Sequence, residues 1–255
     1  MRNCRLPIVD CRFPGVLLLL AVSALASAGP AEQFARANAA YEAQDYAGAV
    51  VLYDSALEVH NSAAAYYNRG NAHFKLGQVG RAIADYNRSF AAAPLDEGVR
   101  HNLEFARQFR ADKSLVLQNP LARGLAAFLR LLPAATARLL AGVFFLFALL
   151  ALAEMLVHGR RFLGWVSVGL GAVFLYLLAA TLSWSAFTNP ARSVVVAPEL
   201  TLRSGPGAEY KDIAVVHDGL EVVVRERRPG FVLVQLPGGE GGWAESGAVE
   251  QVFGR

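Results

Sequence analysis

The sequence predicts a multidomain membrane protein in three parts: an all-α helical-repeat solenoid, a two-helix transmembrane hairpin and a C-terminal all-β barrel. Three observations carry this. Two helical segments repeat at a fixed interval between residues 29 and 112. Two long apolar runs then follow, separated by a four-residue connection. After Asn189-Pro190 the pattern changes from helical to strand-like.

The repeat is visible by aligning Phe34-x-x-Ala37-Asn38-x-x-Tyr41 with Tyr67-x-x-Gly70-Asn71-x-x-Phe74, and Tyr46-x-x-Ala49-Val50-x-x-Tyr53 with Val79-x-x-Ala82-Ile83-x-x-Tyr86. Matched residues are 33 positions apart. That period, with small residues at fixed helix-crossing points and a bulky Tyr53 or Tyr86 against them, reads as stacked helix pairs. Val99, Leu103, Phe105, Ala106 and Phe109 form a partial third unit, expected to cap the stack. Over about residues 31–112 these segments resemble tetratricopeptide repeats. The resemblance implies a concave groove lined by the first helix of each pair, with Phe34, Asn38, Tyr41, Tyr67, Asn68, Asn71, Phe74 and Arg100 as candidate peptide-binding residues. Asparagine amides hold peptide backbones, and Arg100 supplies charge. The alternative is that the aromatics are core and the asparagines stabilise helices.

Hydrophobic residues make up 55% of the chain, and the excess sits in a few long runs, which favours a membrane protein over a soluble one. Arg2, Arg5 and Arg12 precede the apolar run Phe13–Ala26, and Ala26-Ser27-Ala28 is an A-x-A cleavage pattern. Residues 1–28 therefore read as a secretory signal peptide cleaved after Ala28, the alternative being an uncleaved anchor. Both cysteines, Cys4 and Cys11, lie in this leader, so a mature chain would have no thiol for disulfide, nucleophile or metal. Residues 135–157 and 162–185 each match the ~20 residues needed to cross a bilayer. His158-Gly159-Arg160-Arg161 joins them, so the chain returns to its starting side. Translocation after the leader places repeats and barrel on the periplasmic side of the bacterial inner membrane. Leu121, Leu125, Phe128, Leu129 and Leu132 recur at helical spacing within 119–133, which reads as an interfacial amphipathic helix with Arg123 and Arg130 at the headgroups. Glu154 reads as an interfacial carboxylate, and Ser167-x-x-x-Gly171 as a site of close helix packing.

Residues 190–255 contain short β-branched or alternating runs, among them Val194–Val196, Leu220–Val224 and Val232–Leu236. Ser204-Gly205-Pro206-Gly207, Asp218-Gly219, Pro229-Gly230 and Gly238-Gly239 supply turns. The run Leu200–Gly207, with Leu202, Arg203, Gly205 and Pro206, then Tyr210, Phe231 and Trp243, resembles bacterial SH3-type domains. Some domains of that family bind cell-wall peptides. Trp243 is open to two readings, barrel core or ligand platform.

The order of leader, tetratricopeptide repeats, hairpin and SH3-type domain is similar to the BatE family of bacterial aerotolerance (Bat) operons. The resemblance implies a non-enzymatic scaffold beside von Willebrand factor A-type membrane proteins and a MoxR-type ATPase. The alternative is a peptidoglycan-binding module acting through the SH3-type domain. Other classes find no support in the residues. The basic excess lies in the leader and the membrane region, while both extramembrane modules are near neutral, so a nucleic-acid footprint is missing. The five histidines are scattered without ligand spacing, and neither a phosphate loop nor a GxSxG elbow occurs. No catalytic residue, metal or cofactor is expected.

Overall fold

The computed structural model describes residues 29–112 and 119–254. The leader, the expected cleavage after Ala28 and both cysteines lie outside the described residues.

Five helices form the repeat region: α1 (Pro30–Glu42), α2 (Tyr46–Val59), α3 (Ala63–Lys75), α4 (Val79–Ala92) and α5 (Glu97–Gln108). Short polar side chains start them. Asp45 Oδ1 accepts from Gly48 N, Ser62 Oγ from Ala65 N, and Asp96 Oδ1 from Gly98 N and Val99 N. Ala37, Ala49, Ala56, Ala72 and Ala82 are buried, which lets the helix axes approach. At Gly70 a Cβ would lie 2.8 Å from the Tyr86 ring, so the second pair crosses more tightly than the first. The two inter-helix turns differ in one residue. Gly77 closes the second with φ +75°, whereas Gln44 takes the same left-handed conformation at φ +64° in the first. A side chain there is strained.

Helix α6 (Pro120–Leu129) is capped by Asn119, whose Oδ1 accepts from Leu121 N and Ala122 N. Helices α7 (Ala134–His158) and α8 (Arg161–Phe187) are long and apolar enough to cross a membrane, and they pack as an antiparallel pair. Gly159, at φ +66°, turns the chain between them. Leu139, Leu146, Leu156, Phe162, Val168, Leu175 and Leu182 all point outward. Such a surface is unfavourable in water and without penalty in hydrocarbon. Gly171 faces open space; among the hairpin glycines, Gly164 is covered by the Met155 side chain, whose Sδ would lie 2.5 Å from an added Cβ. Ser167 does contribute, donating from Oγ to the Ala148 carbonyl at 2.9 Å. Glu154 pairs with His158 at 2.9 Å near the hairpin tip.

The barrel consists of β1 (Arg192–Val195), β2 (Glu199–Arg203), β3 (Asp212–His217), β4 (Glu221–Arg228), β5 (Phe231–Gln235), β6 (Gly241–Glu245) and β7 (Val249–Gln251). They form one antiparallel sheet in the order β3-β2-β6-β5-β4-β1-β7. Irregular registers at Leu202/Arg203 and Val224/Glu226 bend it. Val195, Leu200, Leu202, Val216, Leu220, Val222, Val232, Val234 and Ala244 fill the interior.

The barrel is seated on the repeats. Ala82, Ile83 and Tyr86 of α4 share an apolar core with Val194 and Val252. At Gly80 a Cβ would stand 2.2 Å from the Val195 carbonyl oxygen, and Gly80 N donates to Asp218 Oδ1 at 3.0 Å. Helix α4 is thus packed by both α5 and the barrel. Charge reinforces the junction. Glu221 accepts from Arg107 Nε at 3.0 Å and Nη2 at 2.9 Å, from Arg110 Nη1 at 3.2 Å and from Arg192 Nη2 at 3.1 Å. Arg88 joins Asp85 to Glu250 and to the Gln251 and Val252 carbonyls. At the hairpin end Phe90 packs on Trp184 and Phe187, and Phe187 on Phe253.

Two outcomes follow from this arrangement. Replacing Gln44 by glycine relieves the left-handed strain and raises stability by up to about 1 kcal/mol, read as a higher midpoint of thermal unfolding. Burial alone would raise the Glu221 carboxyl, but Arg107, with Arg192 and Arg110, holds it down at about 2, against an ordinary 4.5. A depressed carboxyl stabilises the fold fully above its unfolded value. That contribution, about 3 kcal/mol, is lost as pH falls from about 4.5 toward 2. Unfolding in detergent across that window should show the loss, and Glu221→Gln should flatten it.

Candidate functional site

The concave face is built by the first helices of the pairs, α1, α3 and α5. A repeated hydrogen-bond unit fixes it. Tyr53 Oη donates to Asn38 Oδ1 at 2.7 Å, and Asn68 Nδ2 donates to the same oxygen at 3.0 Å. One repeat later Tyr86 Oη donates to Asn71 Oδ1 at 2.7 Å, and Asn102 Nδ2 donates to it at 3.0 Å. Each asparagine carbonyl thus ties the second helix of its own pair to the first helix of the next. Burial pushes the Tyr53 phenol up to about 12, so both tyrosines remain donors at neutral pH. Asn38, Tyr41, Tyr53, Asn68 and Asn71, with Glu42, line a cavity of about 350 Å³. No lysine or arginine lines it.

Four of the eight candidate groove residues, Asn38, Tyr41, Asn68 and Asn71, are therefore brought together. The others serve differently. Phe34 packs against Tyr53 with ring centroids 5.9 Å apart, and Tyr67 against Tyr86 at 6.0 Å. Phe74 joins Phe105 and Phe109, at 5.7 and 5.2 Å, with His101 stacked on Phe105. Arg100 sits exposed and pairs with Glu97. Phe105 and Phe109 remain 43% and 56% exposed, so the far end of the repeat stack is aromatic. Asn102 was not foreseen. Its spacing of 34 from Asn68 was the available signal.

The opposite face of the repeats meets the barrel across a cleft of about 750 Å³, lined among others by Tyr66, Arg69, Arg81, Arg88, Glu58 and Glu250. Its buried charges are satisfied internally. Arg69 holds Asp85 through Nε and Nη2 and reaches Asp54 through Nη1, and Arg88 holds Asp85 and Glu250. His73, lowered by burial, contacts Gln78 Oε1 through Nδ1. Arg69 and Asp85 thereby tie α2, α3 and α4 together, and only Arg88, through Glu250, reaches the barrel. The Glu221 cluster also joins the two modules, and the sequence offered only one carboxylate opening an otherwise β-branched strand.

On the barrel, Leu202 is core and Arg203 Nε donates to Asp212 Oδ1 at 3.1 Å. The Tyr210 ring lies over Gly205, where a Cβ would meet it at 2.3 Å, so glycine is required there. Tyr210 is 44% exposed. Phe231 lies opposite Glu245 across β5–β6. Trp243 is buried in the sheet beneath the Arg228 guanidinium, 4.9 Å from its ring. Trp243 alternates with Ala244, which lies in the barrel interior, so the tryptophan is buried on the outer face of the sheet and neither reading describes it in full. Among the described residues no group of three histidine, cysteine, aspartate or glutamate side chains could hold a metal ion.

Residues 198–250 match the bacterial SH3 domain family, and residues 63–94 match the tetratricopeptide repeat family. Comparison with curated proteins gave no match. The repeat match spans α3 and α4. The first pair lies outside it, yet its Tyr53–Asn38 bond repeats the Tyr86–Asn71 geometry. Tetratricopeptide repeats mediate protein–protein interaction and bacterial SH3 domains are associated with cell-wall binding, so both modules are of binding types.

The barrel residues separate cleanly by experiment. Trp243→Ala, which deletes a buried ring, should cost about 3–5 kcal/mol, whereas Tyr210→Ala, which deletes a ring half exposed but packed over Gly205, should cost about 1–2 kcal/mol. Circular dichroism melts of the two variants check this.

Proposed function

We propose that this protein is a non-enzymatic scaffold anchored in the bacterial inner membrane, presenting the repeat groove and the barrel on the periplasmic side. The observation that carries the reading is the groove itself. Its asparagine carbonyls are consumed in fixing the helices, while the Asn38 and Asn71 amide N–H groups have no partner among the described residues. Donors held this way suit the backbone carbonyls of a peptide, and the exposed phenylalanines beyond suit its apolar side chains. The absence of a cation in the cavity argues against capture of a terminal carboxylate.

The whole-chain resemblance extends the reading to a Bat-type envelope complex, with von Willebrand factor A-type membrane proteins as groove partners and a MoxR-type ATPase in the same system. Tyr210, exposed at the barrel turn, favours a second reading in which the SH3-type domain contacts peptidoglycan. Because α4 forms part of the barrel's support, deleting the repeats would damage both modules. Point substitutions are the sharper test. Full-length protein crosslinked in native membranes and captured for mass spectrometry should recover von Willebrand factor A-type proteins. Asn68→Ala with Phe105→Ser should reduce that recovery at least about tenfold, and Tyr210→Ala should leave it intact. Recovery of wall fragments instead, lost with Tyr210→Ala and unaffected by the groove pair, would move function to the barrel.

A further inference from the structure

Four arginines, Arg107, Arg110, Arg130 and Arg192, converge where repeats, barrel and the end of α8 meet. Three share Glu221, as described above. Arg130 does not. It donates from Nε to Ser183 Oγ at 3.1 Å and from Nη2 to the Ser183 carbonyl at 3.4 Å, and neither partner carries charge. Among the described residues no carboxylate is paired with it. Its guanidinium and that of Arg192 each stand 4.7 Å from the centroid of one ring, Phe187. Both guanidiniums thus engage the same aromatic ring. Burial, then the neighbouring Arg192 and Arg107, lower Arg130 to about 10, the direction expected of a cation lacking a counter-charge.

Depth points to the class of anion that suits this pair. Phe187 is the last residue of α8, so both guanidiniums lie at the level where an apolar span leaves the hydrocarbon. Apolar side chains continue from the site. Phe128 packs on Tyr176 at 5.1 Å, Tyr176 Oη donates to the Phe128 carbonyl, and Leu125, Phe128 and Leu131 are exposed. We propose that Arg130 and Arg192 bind the phosphate of an anionic phospholipid at the base of the hairpin, with its acyl chains along α6 and α8. This differs from the expected loose headgroup contact, because Arg130 is turned inward and held in place. It is independent of the groove reading. A free phosphate shares the headgroup chemistry but would use none of the apolar surface.

The full chain, reconstituted in mixed phosphatidylcholine–phosphatidylglycerol vesicles and re-extracted gently, should retain phosphatidylglycerol enriched about fivefold over the bulk ratio. Arg130→Gln should remove most of that enrichment and Arg130→Lys should keep it. No enrichment in the parent, or equal enrichment in Arg130→Gln, overturns the proposal. So does displacement of the retained lipid by inorganic phosphate at equal concentration, which would assign the site to a free anion. Should Arg130→Gln not fold, a photoreactive phosphatidylglycerol on the parent protein must label segments 125–132 or 183–187. Labelling elsewhere also overturns it.

Discussion

Burying Glu221 would be unfavourable by several kcal/mol if it stood alone. Its position is tolerable because three guanidiniums reach it from two modules, Arg107 and Arg110 from the repeats and Arg192 from the barrel's first strand. Removing the repeats would take away two of its three partners and leave Arg192 alone to compensate it. The placement of repeats against barrel is therefore tied to this carboxylate. Shape enforces the same placement at Gly80, where helix and barrel backbone meet with no room for a side chain.

Chain connectivity makes that placement economical. Helix α8 ends at Phe187 and β1 begins at Arg192, so the barrel has almost no slack with which to leave the hairpin base. Arg192 marks the transition. It donates to the Phe187 carbonyl at 3.2 Å, stacks near its ring and reaches Glu221. On the incoming side, Trp184 Nε1 donates to the Leu132 carbonyl at 2.9 Å, fixing the turn before α7 to the last turns of α8. The hairpin base, the barrel and α4 thus meet in direct contact at Phe90, Phe187 and Arg192.

The elements themselves were legible because each has a distinct period: 33 residues with small residues at crossings, long apolar runs, and short alternating strands between glycine turns. The expected groove was half legible. Asn38, Tyr41, Asn68 and Asn71 point together because helix spacing places them on one face. Phe34 and Tyr67 occupy the same helices yet are drawn into contact with Tyr53 and Tyr86, since an aromatic ring gains more from packing than from solvent. The junction was not legible at all. Contacts such as Arg107 to Glu221 join residues 114 apart in sequence. No periodicity reports them, and near-neutral net charge in both modules conceals that the charges are paired across the boundary. Gly171 shows the limit of motif reasoning, since small residues permit a close crossing without requiring one.

The ladder of tyrosine–asparagine bonds bears on what the groove can recognise. Each Oδ1 already accepts two hydrogen bonds, so the faces of Asn38 and Asn71 left toward the cavity are donors. A pocket of fixed donors without a cation selects for neutral acceptors, and Glu42 at its edge disfavours an approaching carboxylate. The aromatic cluster of Phe74, Phe105 and Phe109 adds apolar surface with no strong directionality. On the peptide-binding reading proposed above, together they suit an internal peptide segment, read through its backbone carbonyls at one end and an apolar side chain at the other. Because the Asn38 hydrogen bonds to Tyr53 and Asn68 tie α1, α2 and α3 together around the cavity, little conformational freedom remains there to be lost on binding. Such preorganisation allows a modest contact area to give useful affinity.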